Sequence, residues 1–171
     1  YKESNTRFLL INKNWDGFII EADKSSVKDI KSQRIYWRHN LTLENTFISQ
    51  NNINTIIKKN NIPRKLGLLS LDIDGVDYWI LKKLSVLDPS IIICEYNSLF
   101  GQKKAITVPY KNNYIRSNEH FSNLFYGASI RAFIDLLKKR NYFFIGTNSA
   151  GNNAFFVKQN IWKKVNKLIT D

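Results

Sequence analysis

LGLLSLDIDGVDYWILKKL, residues 66–84, is the stretch that decides the fold. Its first half is a nearly continuous apolar run that ends in the acids Asp72 and Asp74, just before Gly75. From Val76 onward, apolar residues recur at a spacing near 3.6 and the lysines turn outward, which is the pattern of an amphipathic helix. A strand that leads directly into a helix is the repeating unit of an α/β fold with a mainly parallel sheet.

The same alternation extends over the rest of the chain. Apolar runs predict strands at 18–22, 66–73, 90–96, 142–147 and 153–157. Amphipathic patterns predict helices at 4–13, 25–32, 52–60, 76–87, 128–140 and 159–169. Ser25 or Ser26 is expected to cap the second helix, and Ser129 lies near the start of the fifth.

The last two predicted strands break the parallel rule. Only the five residues NSAGN join them, which is too short for a parallel crossover and rich in turn formers. They are therefore predicted to form an antiparallel hairpin. The sequence as a whole predicts one α/β domain over residues 1–171, with a doubly wound, mainly parallel sheet that ends in this hairpin.

The chain carries a net charge of +12, from 26 Lys and Arg against 14 Asp and Glu. Such a balance raises the alternative of a nucleic acid or another polyanion as partner. The basic residues, however, are scattered as pairs along the predicted helices, as is typical of solvated helix surfaces. The small-molecule interpretation is therefore preferred.

Cysteine use and hydropathy bear on the cellular compartment. Cys94 is the only cysteine and lies inside the apolar run IIICEY, so no disulfide is expected and a reducing compartment fits best. No apolar stretch approaches the roughly 18 residues of a membrane span, and no signal-peptide pattern opens the chain. A cytoplasmic location is expected.

Polar side chains close the first three apolar runs, where open parallel sheets bind their ligands. The first run closes with Glu21 and Asp23. A carboxylate at such a strand end commonly accepts hydrogen bonds from the vicinal diol of a ribose. The alternative for Glu21 is that it caps the helix that begins near Ser25.

Asp72 and Asp74 occupy alternate positions, so in an extended chain both would point to one side. Their repulsion could be relieved by a divalent cation, by a shared proton or by solvent. Glu95 and Asn97 repeat this spacing on a strand expected to be adjacent, and all four are candidate catalytic residues. Oxygen ligands of this kind suit Mg²⁺, for which Asp74, Glu95 and Asn97 are the candidates. The alternative is a hydrogen-bonded polar cluster that bounds a cleft.

Residues 100–127 show little periodicity but carry many aromatic and basic side chains. These are Tyr110, Tyr114, Arg116, His120, Phe121, Phe125 and Tyr126. Long loops of this kind in compact domains are usually functional, so the segment is a candidate lid or substrate loop. The alternative is a loop that packs its own aromatics. His39 and His120 are expected at the surface or against substrate, not as zinc ligands.

Several strings together resemble one enzyme family. They are SNTRFLL, WDGFIIEAD, LLSLDIDGVDYWILKKL, EYNSLFG, YGASI and NYFFIGTNSAGNNAFFV. The chain resembles class I S-adenosylmethionine-dependent methyltransferases, specifically the FkbM-like branch, over nearly its whole length. The resemblance implies a Rossmann-like sheet of seven strands and methyl transfer to a hydroxyl of a sugar or another polar small molecule.

The resemblance also implies roles for individual residues. Glu21 matches the ribose-binding acid, and Asp72 or Asp74 matches an acid beside the transferred methyl group. Asp23 and Asn51 complete the expected cofactor set. By similarity to metal-dependent sugar O-methyltransferases, Mg²⁺ would be held at Asp74 and, with it, Glu95 and Asn97.

The family's Gly-rich turn after its first strand has no match in this sequence. We therefore expect a fragment of a longer product, with weak or no binding of S-adenosylmethionine by this chain alone; the alternative is a natural variant that does not bind the cofactor. Two further functions stay open from sequence. One is a basic module that binds polyanions, and the other is an inactive domain that dimerises through uncovered sheet edges.

Overall fold

The computed structural model describes residues 4–169, without the side chains at position 165 and at positions 167–169. Over this range the protein is mixed α/β, which confirms the predicted class. The chain divides into two compact units, one up to Asn52 and one from Ile53. Each unit contains its own sheet, and the single-domain description stays a prediction.

The first unit is built around two parallel strands. Its elements are α1 (Arg7–Lys13), β1 (Gly17–Glu21), α2 (Lys24–Ser32), α3 (Arg34–Arg38) and β2 (Leu41–Asn45). β1 and β2 pair in register from Gly17 opposite Leu41 to Glu21 opposite Asn45. Leu10, Ile30, Ile35 and Leu41 form its buried core. The core thus joins three helices to one strand.

Two elements of this unit are absent from the sequence prediction, α3 and β2. The strand LTLEN has only two strongly apolar residues, Leu41 and Leu43, separated by Thr42. Such a half-apolar run gives little signal alone, because pairing with β1 supplies much of its stability. The predicted first helix is also shorter than expected and begins at Arg7.

The cap of α2 differs from the prediction of Ser25 or Ser26. Asp23 is the N-cap, and its carboxylate accepts the Ser26 amide at 2.7 Å and the Ser25 hydroxyl at 2.5 Å. An aspartate is among the strongest N-caps because its oxygens satisfy the unpaired amides of the first turn. These bonds lower the pKa of Asp23 below its usual value, the Ser25 hydroxyl contributing most.

The second unit holds the larger sheet. Its strands are β3 (Leu68–Leu71), β4 (Ile91–Glu95), β5 (Tyr142–Thr147) and β6 (Asn153–Lys158). Its helices are α4 (Ile53–Lys59), α5 (Asp77–Lys83), α6 (Arg116–Glu119), α7 (Ile130–Lys138) and α8 (Gln159–Ile169), with a 3-10 turn at Ser98–Phe100. Every strand and helix predicted for this part of the chain is present, with shifts at the ends.

The strands of this sheet lie in the order β3-β4-β6-β5. β3 and β4 are parallel, whereas β6 is antiparallel to both β4 and β5. The predicted terminal hairpin is therefore confirmed. β5 is an edge strand of this sheet, and its Phe143 and Phe144 are partly exposed.

The core of the second unit lies against β4 and β6. Phe133 of α7, Ile80 of α5 and Phe156 of β6 are completely buried. Cys94 in β4 is a free, buried thiol, as the sequence predicts. In residues 4–169, no helix combines the length and the apolar character that crossing a bilayer requires.

Candidate functional site

The acids that follow β3 stand on a turn and not on the strand. β3 ends at Leu71, and Asp74 has a φ of 56°, in the left-handed region. The prediction that the strand runs to Ile73, which would point Asp72 and Asp74 to one side of an extended chain, is therefore wrong. The Asp77 carboxylate accepts hydrogen bonds from the amides of Ile73 and Gly75, on either side of Asp74 in this turn.

The turn nevertheless brings the predicted acids together. Carboxylate oxygens of Asp72, Asp74 and Glu95 all lie within 4.8 Å of one another. Glu95 is the last residue of β4, one position beyond the pair of Leu71 and Cys94 that closes the parallel ladder. We call Asp72, Asp74 and Glu95 the acidic cluster. It lies at the carboxyl ends of two neighbouring parallel strands, where the sequence analysis expected a site.

Glu95 is the buried member of the acidic cluster. It is 6% exposed, and among the described residues its Oε2 has no hydrogen-bond partner. Burial, followed by the charge of Asp72, raises the pKa of Glu95 to about 8. Asp72 is exposed at the surface, and desolvation followed by repulsion from Asp74 raises its pKa as well. Asp72 and Glu95 therefore hold their protons more tightly than isolated carboxyl groups do.

One guanidinium partly offsets this negative charge. The Nη1 of Arg116 lies 3.3 Å from Oδ1 of Asp74. Its positive charge opposes the rise in the pKa values of Asp72 and Glu95 without cancelling it. The Cζ of Arg116 lies 3.6 Å from the centre of the Tyr126 ring, a cation–π contact. Since Asp74 is 72% exposed in its side chain, the ion pair itself contributes little to stability.

Asp77 is a further buried acid near the acidic cluster that was not among the residues predicted from sequence. It is the first residue of α5 and is completely buried. Burial raises its pKa to about 6 even though two backbone amides hydrogen-bond its carboxylate. The signal in the sequence was an acid two residues after the glycine of a strand-to-helix turn. Acids are common in the first turn of a helix, where the helix dipole favours them, so Asp77 did not stand out.

Asn97 is not placed like the other predicted ligands. It is 1% exposed, its Nδ2 donates to the carbonyls of Leu124 and Tyr126, and its Oδ1 accepts the Leu99 amide. These contacts anchor the chain that follows β4. The catalytic and metal roles of Asn97 stay predictions, and we leave it out of the acidic cluster because its amide serves these contacts.

Residues 100–127 bury some of their aromatic side chains and expose others. Tyr114 and Tyr126 are buried, whereas Phe121 is 92% exposed. The segment contains α6 and a bridge from Thr107 to Ala128, and Gly127 donates to the carbonyl of Gly75 at 2.7 Å. It is therefore attached to the turn that carries Asp74, and the lid role stays a prediction.

The predicted cofactor residues all belong to the first unit. Glu21 ends β1, and its Oε1 accepts the Asp23 amide at 2.9 Å; since Asp23 is the cap of α2, the alternative that Glu21 caps this helix is wrong. Asp23 is engaged as the α2 cap. Asn51 is exposed in the turn before α4. The candidate catalytic residues lie in the second unit.

The acidic cluster is also the candidate metal site of the described residues. Among the described residues, the acidic cluster is the one group of three or more His, Cys, Asp or Glu side chains with ligand atoms close enough to hold an ion. His120 is exposed, and its Nδ1 lies 2.7 Å from the Ser122 hydroxyl. This agrees with the expected surface position. Comparisons of the chain with protein-family models, curated proteins and solved structures found no match.

Proposed function

We propose that this protein is a methyltransferase-like domain of the FkbM-like type. The protein would transfer a methyl group from S-adenosylmethionine to a hydroxyl of a sugar or similar polar molecule. The observation that carries the proposal is the acidic cluster, in which Asp72, Asp74 and Glu95 converge at the ends of parallel strands. Ligand sites of open α/β sheets form at such strand ends.

The sheet arrangement supports a Rossmann-like, doubly wound fold as part of this proposal. Both strand pairs that carry candidate residues are parallel, β1 with β2 and β3 with β4. The antiparallel hairpin β5–β6 extends the second pair, with β6 next to β4 and β5 at the edge of the sheet. Parallel strands followed by helices and closed by an antiparallel hairpin are the pattern that the resemblance implies.

The residues fit S-adenosylmethionine in part. Glu21 uses Oε1 for the Asp23 amide, which leaves Oε2 to accept from a ribose diol. Asp23 serves the α2 cap, so in this proposal it holds Glu21 in place and does not bind the cofactor. No glycine-rich strand-to-helix turn lies within residues 4–169. The methionine portion of the cofactor therefore has no matching site in the described residues.

The acidic cluster fits a hard divalent cation better. Three carboxylates within 4.8 Å offer the oxygen ligands that Mg²⁺ prefers, and Glu95 brings a buried oxygen that has no other partner among the described residues. A cation bound there would offset the mutual repulsion of the acids and favour the deprotonated form of a nearby hydroxyl. Asp72, Asp74 and Glu95 would hold it.

The protein's own groups would then handle the acceptor. Asp74, exposed beside Arg116, can accept a hydrogen bond from one hydroxyl and so orient its neighbour. Glu95 has a pKa of about 8 and so keeps its proton near neutral pH; a bound cation would displace that proton and take Glu95 as an oxygen ligand. Arg116 and Tyr126 border the same space and limit how the acceptor can lie.

A transfer assay on the full-length protein tests the proposal. Tritiated S-adenosylmethionine is incubated with a panel of sugars in Mg²⁺, and label is expected in at least one of them. Asp74→Asn and Glu95→Gln should each lower transfer by about 100-fold or more, because the cation and the acceptor hydroxyl would lose their placement. Asp135→Asn, which alters an exposed α7 ion pair, should leave transfer unchanged.

A binding experiment complements the assay. Calorimetry with S-adenosylhomocysteine should give micromolar affinity in the full-length protein, reduced about tenfold in Glu21→Gln, equivalent to about 1.4 kcal/mol. Asp29→Asn on the exposed side of α2 is the control. Absence of both binding and transfer in the full-length protein would remove the methyltransferase proposal.

A further inference from the structure

Asp77 is a buried acid bonded to backbone amides. Its side chain is 0% exposed, although a carboxylate is seldom fully buried unless its oxygens are satisfied. Oδ1 accepts the Ile73 amide at 2.9 Å, and Oδ2 accepts the Gly75 amide at 3.1 Å. Both oxygens are thus used on the turn that precedes α5.

The two bonded amides flank Asp74. This residue adopts a left-handed φ of 56°, a conformation that costs free energy for any residue other than glycine. The pair of bonds from Asp77 stabilises the backbone on both sides of it. Gly75 also contacts residues 114 and 127 of the following segment. Its carbonyl accepts the Gly127 amide, and a β-carbon at Gly75 would overlap the Tyr114 ring.

The chemistry of these bonds explains why the residue is an acid. Both partners are N–H donors, so the side chain needs two acceptor oxygens. Asparagine offers one acceptor and would turn its NH₂ group toward the other amide. A fourth carboxylate beside the acidic cluster is electrostatically costly, and its charge adds to the rise in the pKa of Glu95. Holding the turn offsets that cost.

We propose that Asp77 is the positioning residue of the acidic cluster: by holding the Ile73 and Gly75 amides it sets the turn that brings Asp72 and Asp74 to Glu95. The inference rests on the proposed function for the use of the cluster. Asp77 itself does not touch the acceptor or the cation. Its loss acts through the placement of the other acids.

The experiment compares wild-type protein with Asp77→Asn and Asp77→Glu. Crystal structures give the separation of the three carboxylates, which is within 4.8 Å in the wild-type protein. Nuclear magnetic resonance gives the amide proton shifts of Ile73 and Gly75. Electron paramagnetic resonance gives Mn²⁺ affinity. Tyr142→Phe, which removes a buried hydrogen bond to the Pro89 carbonyl, is the control for lost stability alone.

Asp77→Asn is expected to move the Ile73 and Gly75 amide protons upfield, to separate Asp74 from Glu95 and to weaken Mn²⁺ binding at least tenfold. Asp77→Glu, which keeps two acceptors, should restore part of this affinity. Tyr142→Phe should lower the unfolding midpoint without changing Mn²⁺ affinity. If a folded Asp77→Asn protein keeps the wild-type carboxylate separation, the inference is overturned.

The two proposals fail in distinguishable ways. A wild-type protein that binds no Mn²⁺ removes the cation site, while the crystal structures and amide shifts still decide the role of Asp77. If Asp77→Asn does not fold, the same comparison is made with Asp77→Ser, whose single short hydroxyl cannot replace both carboxylate oxygens. In that variant, an unchanged turn and unchanged amide shifts would contradict the positioning role.

Discussion

At the scale of single residues, the acidic cluster was largely predictable. Asp72, Asp74 and Glu95 end apolar runs, and the ends of parallel strands meet at one edge of a sheet. The turn at Asp74 was not predictable, because it depends on Asp77, a residue inside the next helix. Arg116 was also not predicted to reach Asp74, since 42 positions of chain separate the two.

The pKa values of the buried acids predict how stability depends on pH. The folded protein keeps protons on Glu95 up to about pH 8 and on Asp77 up to about pH 6, whereas the unfolded chain releases them near pH 4.5 and 3.8. Between these values the folded state binds more protons, so the free energy of unfolding falls as pH rises. Urea unfolding at pH 5 and pH 8 should show greater stability at pH 5.

Glu95→Gln isolates the contribution of one acid. Without an ionisable group at this buried position, the free energy of unfolding at pH 8 should rise by roughly 2–4 kcal/mol and vary less with pH. Asp135→Asn, at an exposed ion pair on α7, should keep the wild-type pH dependence. Equal pH dependence in the wild type and Glu95→Gln would mean that Glu95 titrates normally.

At the scale of elements, the strongly patterned ones were predicted and the short ones were not. β5, β6, α7 and α8 have long apolar runs or clear periodicity, and the five-residue connection fixed the direction of the hairpin. β2 and α3 lack such patterns and depend on packing within the first unit. Residues 100–127 show no periodic pattern in sequence, because individual hydrogen bonds between side chains and backbone hold this segment in place.

Ser129 links α7 to this irregular segment. Its Oγ accepts the amides of Ala132 at 3.2 Å and Ile106 at 3.0 Å, and donates to the Lys104 carbonyl at 2.8 Å. Ser129→Ala would remove both the helix cap and these two bonds at a buried position. The expected loss is about 2–3 kcal/mol in the free energy of unfolding, measured by urea denaturation.

A serine at the exposed end of α2 provides the control for this change. The Ser32 hydroxyl donates to the Asp29 carbonyl in solvent, so Ser32→Ala should stay within about 0.5 kcal/mol of the wild type. Hydrogen exchange at residues 104–107 should also rise in Ser129→Ala alone. Similar losses in both variants would show that the buried contacts of Ser129 carry no special weight.

At the scale of the whole molecule, the α/β class and the terminal hairpin were predicted correctly from the pattern of apolar runs. The doubly wound arrangement and the single domain remain predictions, because the described residues form two compact units, each with its own sheet. Composition alone could not have separated these possibilities. The net charge of +12 is a further property of the whole chain, and it bears on the alternative of a polyanion partner.

Salt dependence separates that alternative from the proposed function. With basic residues spread along the chain, we expect weak, non-specific binding to short RNA and DNA at 50 mM salt that falls at least tenfold at 200 mM. Fluorescence titration measures both. Tight binding that persists at 200 mM salt would favour a dedicated nucleic-acid module over the small-molecule interpretation.

Mn²⁺ binding, followed by electron paramagnetic resonance, tests the central claim most directly, namely that the acidic cluster is a working ligand site. The account predicts one Mn²⁺ per chain in the wild-type protein, with affinity at least tenfold weaker in each of Asp72→Asn, Asp74→Asn and Glu95→Gln and unchanged in Asp135→Asn. No bound Mn²⁺ in the wild type, or equal affinity in all four variants, would contradict it.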